Sequence, residues 1–298
     1  MDIIAASTFC ASQCILAEGP MWHTKRKTHF WVDIDGYGFY ECASPGDEPI
    51  FYETPDKVSL IIEYRNDTVL VGIRGGLIKY DLNTKQSDWI LDLDKQIENN
   101  RCNDGACDSR GRLWIGTMDM KYKPGAGALY CIDENLLVKK MVPDTTISNG
   151  LVWSLDNRKM FFIDSPTQKV QSFFFDELSG QIRHEKDLIR IPKDKGTPDG
   201  MAIDEEGMLW VAQWGGFGVY RYDPASGEQI GLIEVPAPNV SSCAFVGEKL
   251  DHLLITTSRQ DLSADEFKKY NQSGDVFIAK PGVRGVSAFA CKLRLEVE

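Results

Sequence analysis

A chain of 298 residues that is 43% apolar and 26% charged can build a large core and is too apolar for a disordered segment. Its 33 basic and 44 acidic side chains leave a net charge of −11, with no basic stripe to neutralise phosphates. That balance excludes nucleic acid and an anionic membrane surface as partners, and no apolar run is long enough to span a bilayer.

The N-terminal stretch MDIIAASTFCASQCIL is apolar but begins with Asp2 and lacks a basic segment, so it reads as a β-strand rather than a signal peptide. The eight cysteines (10, 14, 42, 102, 107, 131, 243 and 291) show no CxxC pair and no zinc-like spacing. They read as buried thiols of a cytoplasmic protein. The four histidines, 23, 29, 184 and 252, form no metal motif and read as structural or surface residues.

Six strand centres recur along the chain, at Trp31, Leu70, Trp114, Phe161, Trp210 and Leu254, in steps of 39, 44, 47, 49 and 44 residues. A second series keeps pace with the first, at Tyr40, Tyr80, Tyr130, Phe173, Tyr220 and Phe277, with the period-2 alternation of half-buried strands. Turn clusters and weaker strands follow, such as Trp89 to Leu93, Leu188 to Ile191 and Ile230 to Val235. Helical periodicity is confined to the stretch around Ser263 to Tyr270, where Ser263 has the character of an N-cap. Four strands per unit at this period predict an all-β fold, a six-bladed β-propeller with four antiparallel strands per blade, in one domain over 1–298. Either Ile3 to Phe9 or Val286 to Leu295 would supply the strand that closes the ring.

In a propeller the first strand of each blade starts at one mouth of the central channel. Eleven to thirteen residues ahead of the strand centres stand Glu18, Ser59, Asn103, Asn149, Asp199 and Ser242. Two carboxylates and two amides converging there make a hard, oxygen-rich site suited to Ca²⁺, Mg²⁺ or Mn²⁺ and less typical of zinc. The plainer reading is that Asn-Gly and Asp-Gly steps are turn residues. Three such steps in register, with a Glu-Gly-Pro corner at Glu18, favour the site. Trp22, Trp153, Trp214 and Phe217 could stack on a sugar face at the mouth, with core packing as the plainer role for each. Trp114 and Trp210 occupy matching strand centres and read as core.

The phrases AEGPMW (17–22), NNRCNDGACDSRGRLWIGTMD (99–119), ISNGLVWSLD (147–156) and PDGMAIDEEGMLWVA (198–212) resemble the SMP-30/gluconolactonase/luciferin-regenerating-enzyme (regucalcin-like) family. Members of that family are six-bladed propellers. The resemblance implies one divalent metal ion held by Glu18, Asn149 and Asp199, with Ca²⁺ the first choice and Mg²⁺, Mn²⁺, Zn²⁺ or Fe²⁺ as alternatives. It implies sugar contacts from Arg101 and Asn103, and Asp199 as the catalytic base. Animal regucalcin-like members carry a substrate-contacting glutamate where this chain has Lys121. The nearest acid here is Asp119, as in the bacterial sugar lactonases, so Asp119 joins the expected substrate-binding residues.

The function so implied is metal-dependent hydrolysis of a sugar-acid lactone to the aldonic acid, the metal polarising the lactone carbonyl or a water. A carboxylate on a metal is a weak base, so Asp104, beside Asn103, is a second candidate for that role. Arg101 would donate to hydroxyls or to the carboxylate product. The rival readings are an aryl-ester or phosphotriester hydrolase on the same site, a non-catalytic calcium- or other divalent-metal-binding regulator, and a scaffold for protein partners. The expected partner is a small sugar lactone, and the expected state is a monomer or weak homodimer.

Overall fold

The recurring apolar runs become strands because each is rich in β-branched and aromatic residues and is bounded by Asp- and Gly-containing turns. A computed structural model describes residues 2–65 and 67–295. Two short strands come first, β1 (Asp2–Ala5) and β2 (Ser7–Cys10). Four separate four-stranded antiparallel sheets follow in chain order. The first holds β3 (Ala17–His23), β4 (Thr28–Asp33), β5 (Gly38–Cys42) and β6 (Ile50–Glu53). The second holds β7 (Val58–Arg65), β8 (Thr68–Ile73), β9 (Gly76–Asp81) and β10 (Gln86–Asp92). The third holds β11 (Asn100–Cys107), β12 (Leu113–Asp119), β13 (Gly127–Ile132) and β14 (Val138–Thr145). The fourth holds β15 (Ser148–Trp153), β16 (Lys159–Asp164), β17 (Lys169–Phe175) and β18 (Ile182–Arg190).

The remaining strands are β19 (Thr197–Ile203), β20 (Leu209–Trp214), β21 (Gly218–Tyr222), β22 (Gln229–Glu234), β23 (Asn239–Val246), β24 (His252–Ser258) and β25 (Val276–Ala279). Together with β1 and β2 they form one nine-stranded sheet. The fold is therefore all-β and propeller-like, but the expectation of six separate four-stranded blades is corrected. Four blades stand as separate sheets, and the rest of the chain is continuous. The fusion has a local cause. Trp214 at the end of β20 pairs with Asn239 at the start of β23, and Phe217 donates its N–H to the Pro238 carbonyl beside it (3.2 Å).

The N-terminus, rather than Val286 to Leu295, supplies the extra strands. β1 lies parallel to β22 and β2 antiparallel to β25, covering two edges that would otherwise expose unpaired backbone groups. The expected helix is present as α1 (Ala264–Lys269), opened by a capping box between Ser263 and Glu266. Among the described residues no helix is long and apolar enough to cross a membrane.

Apolar layers fill the spaces between neighbouring sheets, and this explains the composition of each strand. Every residue of β12 is buried, as are all but the first of β4 and β8, because these strands have a sheet on either face. The outer strands β6 and β10 each expose most of their residues. Trp31 and Trp114 are fully buried at matching positions. The repeated Asp-x-x-Gly turn serves the Trp in its hairpin. Asp108 Oδ2 accepts from Trp114 Nε1 at 2.8 Å and Arg112 Nε at 2.6 Å. Asp204 Oδ2 accepts from Trp210 Nε1 at 2.9 Å and from Arg221 at 2.7 and 2.9 Å. A buried indole N–H thus finds a charged acceptor in each case.

Candidate functional site

The six strands β3, β7, β11, β15, β19 and β23 each contact the next, and β23 returns to β3, so they form a closed ring. Each of these strands loses register with its partner near its start, at Glu18/Met21, Val58/Leu60, Cys102/Gly105, Asn149/Leu151, Pro198/Met201 and Val240/Ser242, and β7 does so again at Glu63/Arg65. A bulge bends its strand and re-aims a side chain out of the pleat. The positions singled out by spacing, Glu18, Ser59, Asn103, Asn149, Asp199 and Ser242, lie at or beside these six bulges.

Glycines let the bulged strands approach one another. A Cβ on Gly200 would lie 2.1 Å from Ser242 Oγ and 2.8 Å from its Cα. One on Gly150 would lie 2.7 Å from the Asp199 carbonyl oxygen and 2.8 Å from the Met201 nitrogen. The Asn-Gly and Asp-Gly steps are thus packing devices between inner strands as well as turn residues.

Glu18, Asn149 and Asp199 are all buried, at 9, 4 and 8% exposure. Burial raises the Glu18 carboxyl well above the ordinary range, and the charges of Asp199 and Asp104 add to the rise. The N–H of Gly19, 3.0 Å from Glu18 Oε2, and the guanidinium of Arg101 partly offset it. Burial likewise raises Asp199, followed by the charge of Asp104, while Asn149 and Arg101 pull it down. Asn149 donates through Nδ2 to Ser165 Oγ at 3.0 Å. Oδ1 of Asn149 and Oδ1 of Asp199 are both buried without a hydrogen-bond partner. Two orphaned oxygens beside two mutually repelling carboxylates form a site that a cation would satisfy.

Asp104, half-buried on the same bulge as Asn103, is pushed up to about 6 by burial, partly offset by the Gly105 N–H at 2.7 Å. Arg101 is buried, and burial lowers its pKa while the Glu18 charge supports it. Its Nη1 donates to the Cys102 carbonyl at 2.9 Å and to Asn103 Oδ1. Asn103 Nδ2 donates to the Ser148 carbonyl at 2.8 Å, so this amide braces Arg101 against the neighbouring strand.

Asp119 stands across the ladder from Asn100. It is buried, and its Oδ1 accepts the Lys121 N–H at 2.7 Å, which ties it to the turn after β12. Trp153 is not at the mouth. It packs in the core against Trp114 and Phe175, with ring centroids 6.0 and 5.9 Å away. Trp22 packs edge-on against His29 in the cluster around Phe9 and Trp31. Trp214 is half-buried against the cluster containing Leu16 and Ile34. Phe217 is 39% exposed in the β20–β21 turn and meets Tyr270 edge-on at 5.2 Å. The sequence did not single out Asp35 and Tyr122, which stand near Arg101. They stand in loops, whose residues carry no periodic signal.

Among the described residues no cluster of three or more His, Cys, Asp or Glu is placed to hold a metal; the Glu18–Asn149–Asp199 trio has an amide as its third member. All its donors are hard oxygens, and two are orphaned, so the residues present fit a hard divalent cation.

Residues 16–259 match a family model described as "SMP-30/Gluconolactonase/LRE-like region". The chain is 32% identical over 271 residues to "Putative sugar lactone lactonase YvrE" of Bacillus subtilis, covering 90% of this chain and 92% of the relative. It is 31% identical over 297 residues to regucalcin of Oryctolagus cuniculus, covering 97% and 99%. A crystal structure of a calcium-binding protein, regucalcin, from Agrobacterium tumefaciens superposes with a TM-score of 0.91 at 27% identity, covering 99% of this chain and 100% of that one.

Proposed function

Since the chain belongs to the SMP-30/gluconolactonase/LRE-like family, we propose that it hydrolyses a sugar-acid lactone to the open aldonic acid at the mouth of the ring of inner strands. The observation that carries this reading is the buried trio Glu18, Asn149 and Asp199, with two orphaned oxygens, set beside Arg101 and Asp104. The similarity to a relative named as a sugar lactone lactonase supports the substrate class.

Glu18, Asn149 and Asp199 would hold one divalent cation. Calcium is the first choice because the Agrobacterium structure is of a calcium-binding protein, with Mg²⁺, Mn²⁺, Zn²⁺ or Fe²⁺ as alternatives. When bound, such an ion supplies Lewis acidity to a carbonyl or water oxygen. The chain's own residues do the rest. Arg101, braced by Asn103, offers its remaining N–H groups to substrate hydroxyls or the carboxylate product. Ester hydrolysis needs a base to take a proton from the attacking water. Asp199, one of the residues that would hold the ion, would take this role, and Asp104, pushed up to about 6, would accept a proton near neutral pH. Asp119 acts on substrate through the turn it holds. The eight buried, unpaired thiols support a reducing compartment such as the cytoplasm.

The test is acid release from glucono-, galactono-, xylono- and arabinono-lactones and phenyl acetate by chelated protein, with each metal restored in turn. Metal-dependent release from one sugar lactone above its spontaneous rate is expected. Release from phenyl acetate alone would replace the lactone by an aryl ester. Silence on every substrate, with metal still raising the melting temperature, would leave a metal-binding protein without this catalysis.

A further inference from the structure

Three of the turns between second and third strands place a large aromatic side chain in the left-handed backbone region. Tyr37, Tyr122 and Phe217 have φ of 57, 58 and 57° and are 45, 48 and 39% exposed. This region suits glycine, and an aromatic residue held there is strained. Gly75, in the β8–β9 turn, shows the unstrained choice at φ 85°. These turns lie at the end of the ring where the inner strands begin, as the pairings Ala17 with Asp33 and Asn100 with Asp119 require.

Tyr122 differs from the other two in its surroundings. It lies three residues beyond Asp119, and the preceding Met118 pairs with Arg101 across the β11–β12 ladder, so its turn opens at the Arg101 corner of the ring. Arg101 is buried there and is supported by the Glu18 charge. The turn that holds Tyr122 is built by Asp119. Its carbonyl accepts the Tyr122 N–H at 2.9 Å, and its carboxylate accepts the Lys121 N–H at 2.7 Å. Asp119 is thus a positioning residue, and the group it presents is Tyr122.

We propose that Tyr122 is a specificity-determining residue, whose exposed ring and phenol contact the polyol portion of a lactone held by Arg101. A phenol suits that role, with an apolar face for the C–H side of a sugar and a hydroxyl for its polar edge. The inference rests on the lactonase reading above and deepens it.

Tyr122→Gly separates a binding role from a structural one, because it relieves the left-handed strain while removing the contact. Expected are a KM raised about tenfold, the equivalent of one ordinary contact in binding, a kcat within about twofold, and a melting temperature equal to or above wild type. Tyr122→Phe keeps the ring, and its KM is expected between those of wild type and the glycine variant. An unchanged KM in Tyr122→Gly, for a lactone that the wild type hydrolyses, overturns the proposal. A lowered melting temperature with parallel loss of kcat overturns it too. If the wild type hydrolyses no lactone, the lactonase reading has failed by itself, and calorimetric titration with gluconate and xylonate decides the rest. Weaker binding by Tyr122→Gly then supports the contact, and equal binding, or none by either protein, removes it.

Discussion

Buried carboxylates that the Arg101 guanidinium offsets only in part set the behaviour of this site at the scale of single residues. Glu18 and Asp199 raise each other's cost of ionisation, so neutralising them relieves the metal-free protein. The double substitution Glu18→Gln with Asp199→Asn is expected to abolish turnover and the metal-induced rise in melting temperature. Far-UV circular dichroism should keep its strand signal, and the chelated variant should melt no lower than chelated wild type. Retention of wild-type rates would show that the site is elsewhere. Asp104 gives a signed pH dependence. Its folded value of about 6 lies above its ordinary 3.8, so the folded state binds more protons between those values. Stability from this group is present below the ordinary value and is lost as pH rises through about 6. Chelated Asp104→Asn should therefore lose less stability than wild type between pH 5 and 7 in denaturant titrations. An identical slope in the two proteins would exclude Asp104 as the source.

At the scale of elements, the inner-strand bulges do the positioning. Each offsets the ladder by one residue, and at Gly150 and Gly200 the glycine lets the next inner strand come close. Gly200→Ala puts a methyl group 2.1 Å from Ser242 Oγ and 2.8 Å from its backbone. A cost of about 1–3 kcal/mol is expected from overpacking at such a site. Because Asp199 precedes Gly200, the same variant should also weaken metal binding in calorimetry. A stability loss with metal affinity intact would mean that the bulge tolerates displacement. The repeated phrase in the sequence was legible because one short run of residues performs several tasks. It supplies the bulge, the glycine contact and the Asp turn that holds a Trp. Trp153 takes the core role that was its plainer reading, and only the structure decides this, because its indole turns between two sheets, a direction that periodicity does not encode.

For the whole molecule, the N-terminal strands cap the two ends of the nine-stranded sheet. Deleting residues 1–10 would uncover the edges of β22 and β25 together. The truncated protein is expected to melt earlier and to aggregate through those edges, which differential scanning calorimetry and light scattering would register. A truncated protein that stays monomeric with an unchanged melting temperature would show that the two strands merely decorate the sheet. The fusion through Trp214 and Asn239 explains why sheet count departs from repeat count. The repeat in the sequence records units of strand and turn, whereas a sheet boundary depends on whether two adjacent strand ends come within hydrogen-bonding reach.

The sequence by itself determined the all-β class, the spacing of the strands and the six polar positions at the starts of the inner strands. These follow from local alternation, turn chemistry and a regular period, all of which act over short stretches of chain. Only the tertiary structure decided that the last two repeats merge and that the N-terminus completes them. It also decided that Asn103 braces Arg101 and that Asp119 holds a turn for Tyr122. Those outcomes depend on approaches between residues distant in sequence, where hydrogen bonds and desolvation are settled by packing rather than by pattern.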